Sequence, residues 1–280
     1  MNQWMPLVLG VPFGASPDQV RRVAGGRLVV ISGASRGIGA DMVRRLVCLG
    51  ATVVGIARTG ADLEELGKSL TPAPGRFHPL PGDLRDLDWA QNTGRLIVDQ
   101  WGTPAVMISN AGHSIHRTLS QYADRFHDLS RTTGVNYLGA VGLAMPIVEA
   151  MRAAGCGHLI SVSTTSVDLP LPAWSAYSAS KGAYELWLRS VAPELRGDQV
   201  AMTSVHMPRV ATAMSAPTAG RYLIPELSIA QAADILCYAL VHKPRYLIPW
   251  WARLSAAVSG GFPSAIQRSW ELALSLGVKP

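Results

Sequence analysis

Apolar residues along this chain gather into short runs separated by longer stretches of mixed character. Leu28-Val29-Val30-Ile31-Ser32 is the clearest run, β-branched and apolar throughout, as a strand buried on both faces requires. Further strands are predicted at Thr52 to Ala57, Phe77 to Leu80, Ala105 to Ser109, His158 to Ser163, Ala201 to His206 and Tyr246 to Ile248. Between them, Ala40 to Leu49, Arg85 to Gln100, a long stretch holding Gly134-Val135-Asn136-Tyr137, the stretch holding Tyr177 and Lys181, and Ser228 to Val241 read as helices. Strands alternating with helices imply right-handed crossovers and a parallel sheet. The expected fold is one doubly wound α/β domain with seven parallel strands and helices on both faces. Its ligand should lie at the carboxyl ends of the strands. Residues 1–26 form an N-terminal extension in which Pro6, Pro12 and Pro17 argue against one long helix. Residues 27–250 form the domain, and residues 251–280 an apolar, aromatic helical tail.

Composition narrows the class. Of 280 residues, 48% are hydrophobic and 16% charged, which excludes a disordered chain. The formal net charge is +6, yet the basic residues are dispersed and nothing suggests nucleic acid. That balance suits an anionic cofactor, an anionic CoA-type substrate or an anionic membrane surface. Cys48, Cys156 and Cys237 are sparse and widely spaced, as in a reducing cytosol, and read as buried small hydrophobes. No apolar run reaches the ~18 residues of a membrane span. Met1 to Gly14 lacks the positive region of a secretory signal. A cytoplasmic protein is expected, with peripheral membrane contact left open.

Candidate chemistry begins where the first strand runs into Gly33-Ala34-Ser35-Arg36-Gly37-Ile38-Gly39. Strand, glycine turn and helix together place backbone N–H groups at a phosphate, and glycine lets the backbone approach it. The spacing is Gly-x-x-x-Gly-x-Gly, and the alternative is a helix-entry turn with incidental glycines. The second strand ends in Ala57-Arg58 where an NAD site places an acidic residue. Arg58 and Arg36 can instead hold a 2′-phosphate, which predicts NADP(H), or they are merely solvated. Asp83, before Leu84, either accepts a hydrogen bond from an adenine amino group or caps the next helix. His113, His116 and His127 have no metal spacing. Tyr177 and Lys181, four apart, share a helix face, and a nearby ammonium draws a phenol's pKa down towards working pH.

Taken in order, Ser32-Gly33-x-x-x-Gly37-Ile38-Gly39, Asp83, Asn110-Ala111-Gly112, Asn136, Tyr177-x-x-x-Lys181 and Pro208 to Thr212 resemble the short-chain dehydrogenase/reductase family over residues 26 to 250. The resemblance implies a Rossmann-like fold and an NADP(H)-dependent oxidoreductase. In it Tyr177 donates the proton, Lys181 tunes it and holds the nicotinamide ribose, and Asn136 supports a water feeding the lysine. Gly33, Ser35, Arg36, Gly37, Ile38, Gly39, Arg58, Asp83, Leu84, Asn110, Ala111, Gly112, Val210 and Thr212 would line the cofactor. The family's serine thirteen residues before the tyrosine is Thr164 here. Its hydroxyl can donate the same bond, with Ser163 as the neighbouring candidate. Met207-Pro208-Arg209 replaces the family's usual Pro-Gly.

A narrower likeness, to reductase domains acting on fatty acyl-CoA and long-chain aldehydes, lies in Ser109 to Ile115, Arg125 to Asp128 and His206 to Thr218. It implies a hydrophobic long-chain carbonyl or alcohol as substrate, with residues 215–227 as a flap. A small or steroid-like carbonyl, or a cofactor-binding regulator without turnover, are the competing readings. A homo-oligomer is expected through the Tyr177 helix, with Trp187 and Leu188 at the interface. Trp250, Trp251, Phe262 and Trp270 with Arg253 and Arg268 suit a membrane interface, or else pack on the domain or a partner subunit.

Overall fold

The computed structural model describes residues 10–12, 14–169, 171–218 and 226–276. The parts of the expected flap at 219–225, and the first nine residues, lie outside them. The chain enters through helix α1 (Pro17–Ala24), where Ser16 and Gln19 cap one another reciprocally and Pro17 occupies the first turn. Strand β1 (Leu28–Ser32), α2 (Gly37–Cys48), β2 (Thr52–Ala57), α3 (Gly60–Ser69), β3 (Arg76–Pro81), α4 (Leu87–Trp101) and β4 (Val106–Ser109) follow. Then come α5 (Leu119–Tyr122), α6 (Phe126–Thr133), a π turn (Gly134–Leu138) and α7 (Gly139–Ala153). Strand β5 (Gly157–Thr164), α8 (Ser175–Gly197), β6 (Val200–Met207), α9 (Ile229–His242), β7 (Tyr246–Leu247), α10 (Trp250–Gly261) and α11 (Pro263–Ser275) complete the order.

All seven strands pair in parallel in the order β3-β2-β1-β4-β5-β6-β7. Alternation along the strands splits the core into two layers. Val29, Ile31 and Val53 meet α1, α2 and α9 on one face, while Val30, Val54 and Ile56 meet α4, α7 and α8 on the other. Ile31, Met107 and Leu159 are wholly buried, each stabilising the fold by roughly 2–3 kcal/mol. The order reverses between β1 and β4, so their carboxyl ends open the crevice where a doubly wound sheet takes its ligand.

Four local expectations differ from the structure. Cys48 and Cys156 are exposed, because each sits at a helix end or turn, and Cys237 alone of the three is buried. Asp86, not Asp83, caps α4, accepting the Trp89 N–H at 3.0 Å. Residues 126–153 form a helical stretch long and apolar enough to cross a membrane by composition. Yet 56% of its apolar window is buried within the fold, as for a core helix. Leu188 points into the core, whereas its neighbour Leu186 is exposed.

Candidate active site

The crevice is built by an interlock between β1 and β4. Ser32 Oγ accepts the N–H groups of Asn110 and Ala111, both at 3.1 Å. The Asn110 amide reaches back to the Ser32 and Gly33 carbonyls, also at 3.1 Å. Gly33 and Gly37 hold φ of +68° and +56°, a region costly for residues with a Cβ. A Cβ at Gly39 would lie 2.1 Å from the Gly33 carbonyl oxygen. The turn therefore stays tight, leaving backbone N–H groups at the start of α2 facing the crevice, a cradle that fits a dinucleotide pyrophosphate. Thr212 closes its far side, with Cγ2 3.5 Å from where a Gly37 Cβ would stand.

The flanks of the cradle are charged. Arg58 is exposed at the end of β2. Arg36 forms a two-pronged pair with Asp62 of α3, at 2.9 and 3.1 Å. Asp83 binds Arg85 through its side chain and accepts the Arg85 N–H at 3.0 Å. The Arg85 bond and nearby Arg58 hold the Asp83 carboxyl below its ordinary pKa. Leu84 is buried behind it.

The candidate reacting groups Thr164, Tyr177 and Lys181 sit across the crevice on β5 and α8. The Tyr177 hydroxyl is hydrogen-bonded to Thr164, and this bond partly offsets the burial that pushes the phenol's pKa up. The expectation of a lowered tyrosine pKa is thus reversed, because burial outweighs the Thr164 hydrogen bond. Lys181 Nζ donates to the Val162 carbonyl at 2.9 Å. Burial lowers Lys181 to about 8, against an upward pull from Glu185. Ser163 points to the opposite face, buried and without a hydrogen-bond partner for Oγ. Val210 is buried on the far wall near Thr212.

Asn136 lies in the π turn, whose wider hydrogen-bond spacing marks many functional sites. Its amide clamps His113 at both ends, accepting the N–H at 2.7 Å and donating to the carbonyl at 2.9 Å. The same Nδ2 reaches Ser180 Oγ at 2.9 Å, joining the β4 loop to α8. A Cβ at Gly112 would stand 3.5 Å from both Asn136 Oδ1 and Lys181 Nζ, so these groups converge. The loop is tied further by Arg117 N–H to the Ala173 carbonyl at 2.8 Å, with Ala173 at φ +64°. Arg117 and Arg125 both pair with buried Asp128, at 2.8 and 2.9 Å. His116, Trp174 and Tyr177 form an edge-on aromatic row with centroids 5.1 and 5.8 Å apart.

Sequence reasoning missed Glu185, His206 and Asp168, a buried charged group beneath Lys181. Glu185, four residues after Lys181, carried the only usable signal.

A sequence model described as short chain dehydrogenase matches residues 27–221. An oxidoreductase of Mycobacterium tuberculosis is 35% identical over 246 residues, covering 87% of this chain and 72% of that protein. A fatty acyl-CoA reductase of Acinetobacter baylyi is 35% identical over 231 residues, 82% of this chain and 78% of that one. A fatty acyl-CoA reductase of M. tuberculosis is 32% identical over 235 residues, 84% and 79% of the two chains. In fold, a short-chain dehydrogenase from Streptomyces avermitilis superposes with TM-score 0.73 at 22% identity, covering 90% of this chain and 98% of that one. One from Burkholderia cenocepacia, solved with NADP, gives 0.73 at 22% identity over 88% and 98%. The interlocked glycine turn, the Tyr177–Lys181 helix and these relationships together make the chain a member of the short-chain dehydrogenase family of NAD(P)-dependent oxidoreductases.

Proposed function

We propose that the protein is an NADPH-dependent reductase of a hydrophobic, long-chain carbonyl: an aldehyde, an acyl or a 3-oxoacyl group. The observation that carries this reading is the Tyr177–Thr164 hydroxyl pair beside Lys181, at the open end of the glycine cradle. Gly33, Gly37 and Gly39 with the α2 N-terminus would hold the pyrophosphate, and Asn110, Ala111, Gly112, Val210 and Thr212 would flank the nicotinamide half. Bound there, the cofactor supplies the hydride. Thr164 and Tyr177 orient the carbonyl oxygen between two hydroxyls, and Tyr177, a phenol at neutral pH, donates the proton. Lys181 carries a proton one helical turn away and can replenish it through the region Asn136 organises. Holding the reactants in this geometry is worth on the order of 7–11 kcal/mol of barrier.

NADPH is favoured over NADH because β2 ends in Ala57-Arg58 without a carboxylate. Arg58 is exposed to receive a 2′-phosphate, whereas Arg36 must share its guanidinium with Asp62. A lipid substrate is supported by the two relatives named as fatty acyl-CoA reductases and by the His116–Trp174 wall beside Tyr177. Exposed Leu138, Met145 and Leu186 on the π turn, α7 and α8 suit pairing of two copies, and exposed Trp250 and Phe262 suit a peripheral membrane face.

The test is oxidation of NADPH and of NADH with aldehydes and 3-oxoacyl compounds of rising chain length. kcat/KM should climb with length. Tyr177→Phe should bind cofactor normally and lose roughly 10²–10⁴-fold in turnover. Arg58→Ala should weaken NADPH at least tenfold more than NADH. Wild-type turnover in the tyrosine variant, or equal weakening of both cofactors, would refute the respective assignment.

A further inference from the structure

Beneath α8, on the face of the sheet away from the glycine cradle, lies a charged cluster that the reaction as described does not use. His206 on β6 is 4% exposed. Its Nδ1 stands 2.6 Å from Asp168 Oδ2, and its Nε2 3.5 Å from Glu185 Oε1. Neither Nε2 nor Oε1 has another hydrogen-bond partner, and both are buried. Glu185 Oε2 accepts Ser204 Oγ at 2.5 Å. Glu185 follows Lys181 by one helical turn, and Asp168 follows Thr164 by four residues, so the ring contacts one residue just beyond each arm of the catalytic group.

A neutral imidazole has one donor and one acceptor nitrogen. Here both nitrogens face carboxylate oxygens, so only the doubly protonated ring suits both. We propose that His206 is a positioning residue: an imidazolium that balances the Glu185 carboxylate facing Lys181 and anchors the segment bearing Thr164. The inference rests on Tyr177 and Lys181 being the proton-transfer pair.

The surroundings agree. Ser163 of β5 lies in register beside His206, the Tyr246 ring of β7 meets it edge-on at 6.4 Å, and Ser204 lies two residues back on β6. On α8 the charged neighbours are Glu185, Lys181 and Arg189, and Asp168 comes from the segment after β5. No cation other than His206 approaches Asp168 or Glu185 as an ion pair among the described residues. Burial would lower the ring's pKa, but the two carboxylates prevail and raise it to about 9. Glu185 raises Lys181 against burial, and His206 in turn helps hold that carboxylate in its charged form.

The test reads Lys181 directly. The chain has four lysines, so ¹³C NMR with lysine labelled at Cε resolves the buried one, assigned by its loss in Lys181→Arg. Removing the anion in Glu185→Gln should move the Lys181 midpoint down by on the order of one pH unit. Removing the cation in His206→Gln should move it up by a similar amount, and the double variant should return close to wild type. Asp168→Asn, which weakens the hold on Nδ1, should also move it up and stands in should His206→Gln not fold. A purely structural cluster would shift both single variants the same way by loosening α8, and that result, or no shift in either, overturns the proposal. The alkaline limb of kcat/KM for carbonyl reduction should follow the same signs. If the wild type reduces no carbonyl, the catalytic reading fails while the titration still decides the charge coupling.

Discussion

At Thr164 a single hydroxyl meets both Tyr177 and the start of the next turn, where it accepts the Ser166 N–H at 3.2 Å. Its role depends on that oxygen and not on the methyl. Thr164→Ser should keep turnover within a few-fold, and Thr164→Val, equal in shape, should lose about 10²–10³-fold in kcat. Steady-state kinetics of the pair separates the hydroxyl from packing, and equal rates would transfer the role to Ser163. The Gly39 position is a different constraint, purely of space. With the Gly33 carbonyl 2.1 Å from any added Cβ, Gly39→Ala must open the turn and should weaken cofactor binding at least tenfold by fluorescence titration.

At the scale of elements, α1 shows how a short helix is made to count. Eight residues are marginal alone, but the reciprocal Ser16–Gln19 cap satisfies two end donors, and Val20 and Ala24 bury against the α9 layer. Ser16→Ala should cost about 1 kcal/mol and lower the Tm by a few degrees without changing KM. Elements of the site divide labour similarly. β1 and β4 supply the rigid cradle, α8 carries Tyr177 and Lys181, and the π turn gives the widened backbone that lets Asn136 clamp His113 and Ser180.

For the whole molecule, three buried basic groups shape stability against pH. His206, raised to about 9 from 6.5, contributes stability that is full below pH 6.5 and is lost as pH rises through about 9. Lys181, lowered to about 8 from 10.5, acts oppositely, so stability recovers between those values. His158 bonds Thr203 at 2.8 Å and is held neutral by burial, with its pKa near 3. The unfolded chain binds that proton first, so stability falls as pH drops from 6.5 towards 3. Thermal melts across pH should peak near 6.5, decline most clearly from 6.5 to 8, and flatten on the acid side in His158→Gln.

Much of this is legible in the sequence alone. Apolar runs fixed the strands because burial on both faces leaves no room for polar alternation, and β-α alternation then fixed a parallel sheet. The glycine turn and the Tyr177–Lys181 spacing were legible because their chemistry is local, needing only a missing Cβ or one helical turn. What the sequence could not decide lies between distant segments. Which hydroxyl meets Tyr177 follows from the pleat of β5, which turns Thr164 to the site and Ser163 away. Arg36 finds Asp62 26 residues on, and Asp83 turns to Arg85. His206, Glu185 and Asp168, read singly, are unremarkable polar residues of a strand, a helix and a turn. Only the stacking of α8 on β5 and β6 removes them from water together, and burial is what makes their charges answer to one another.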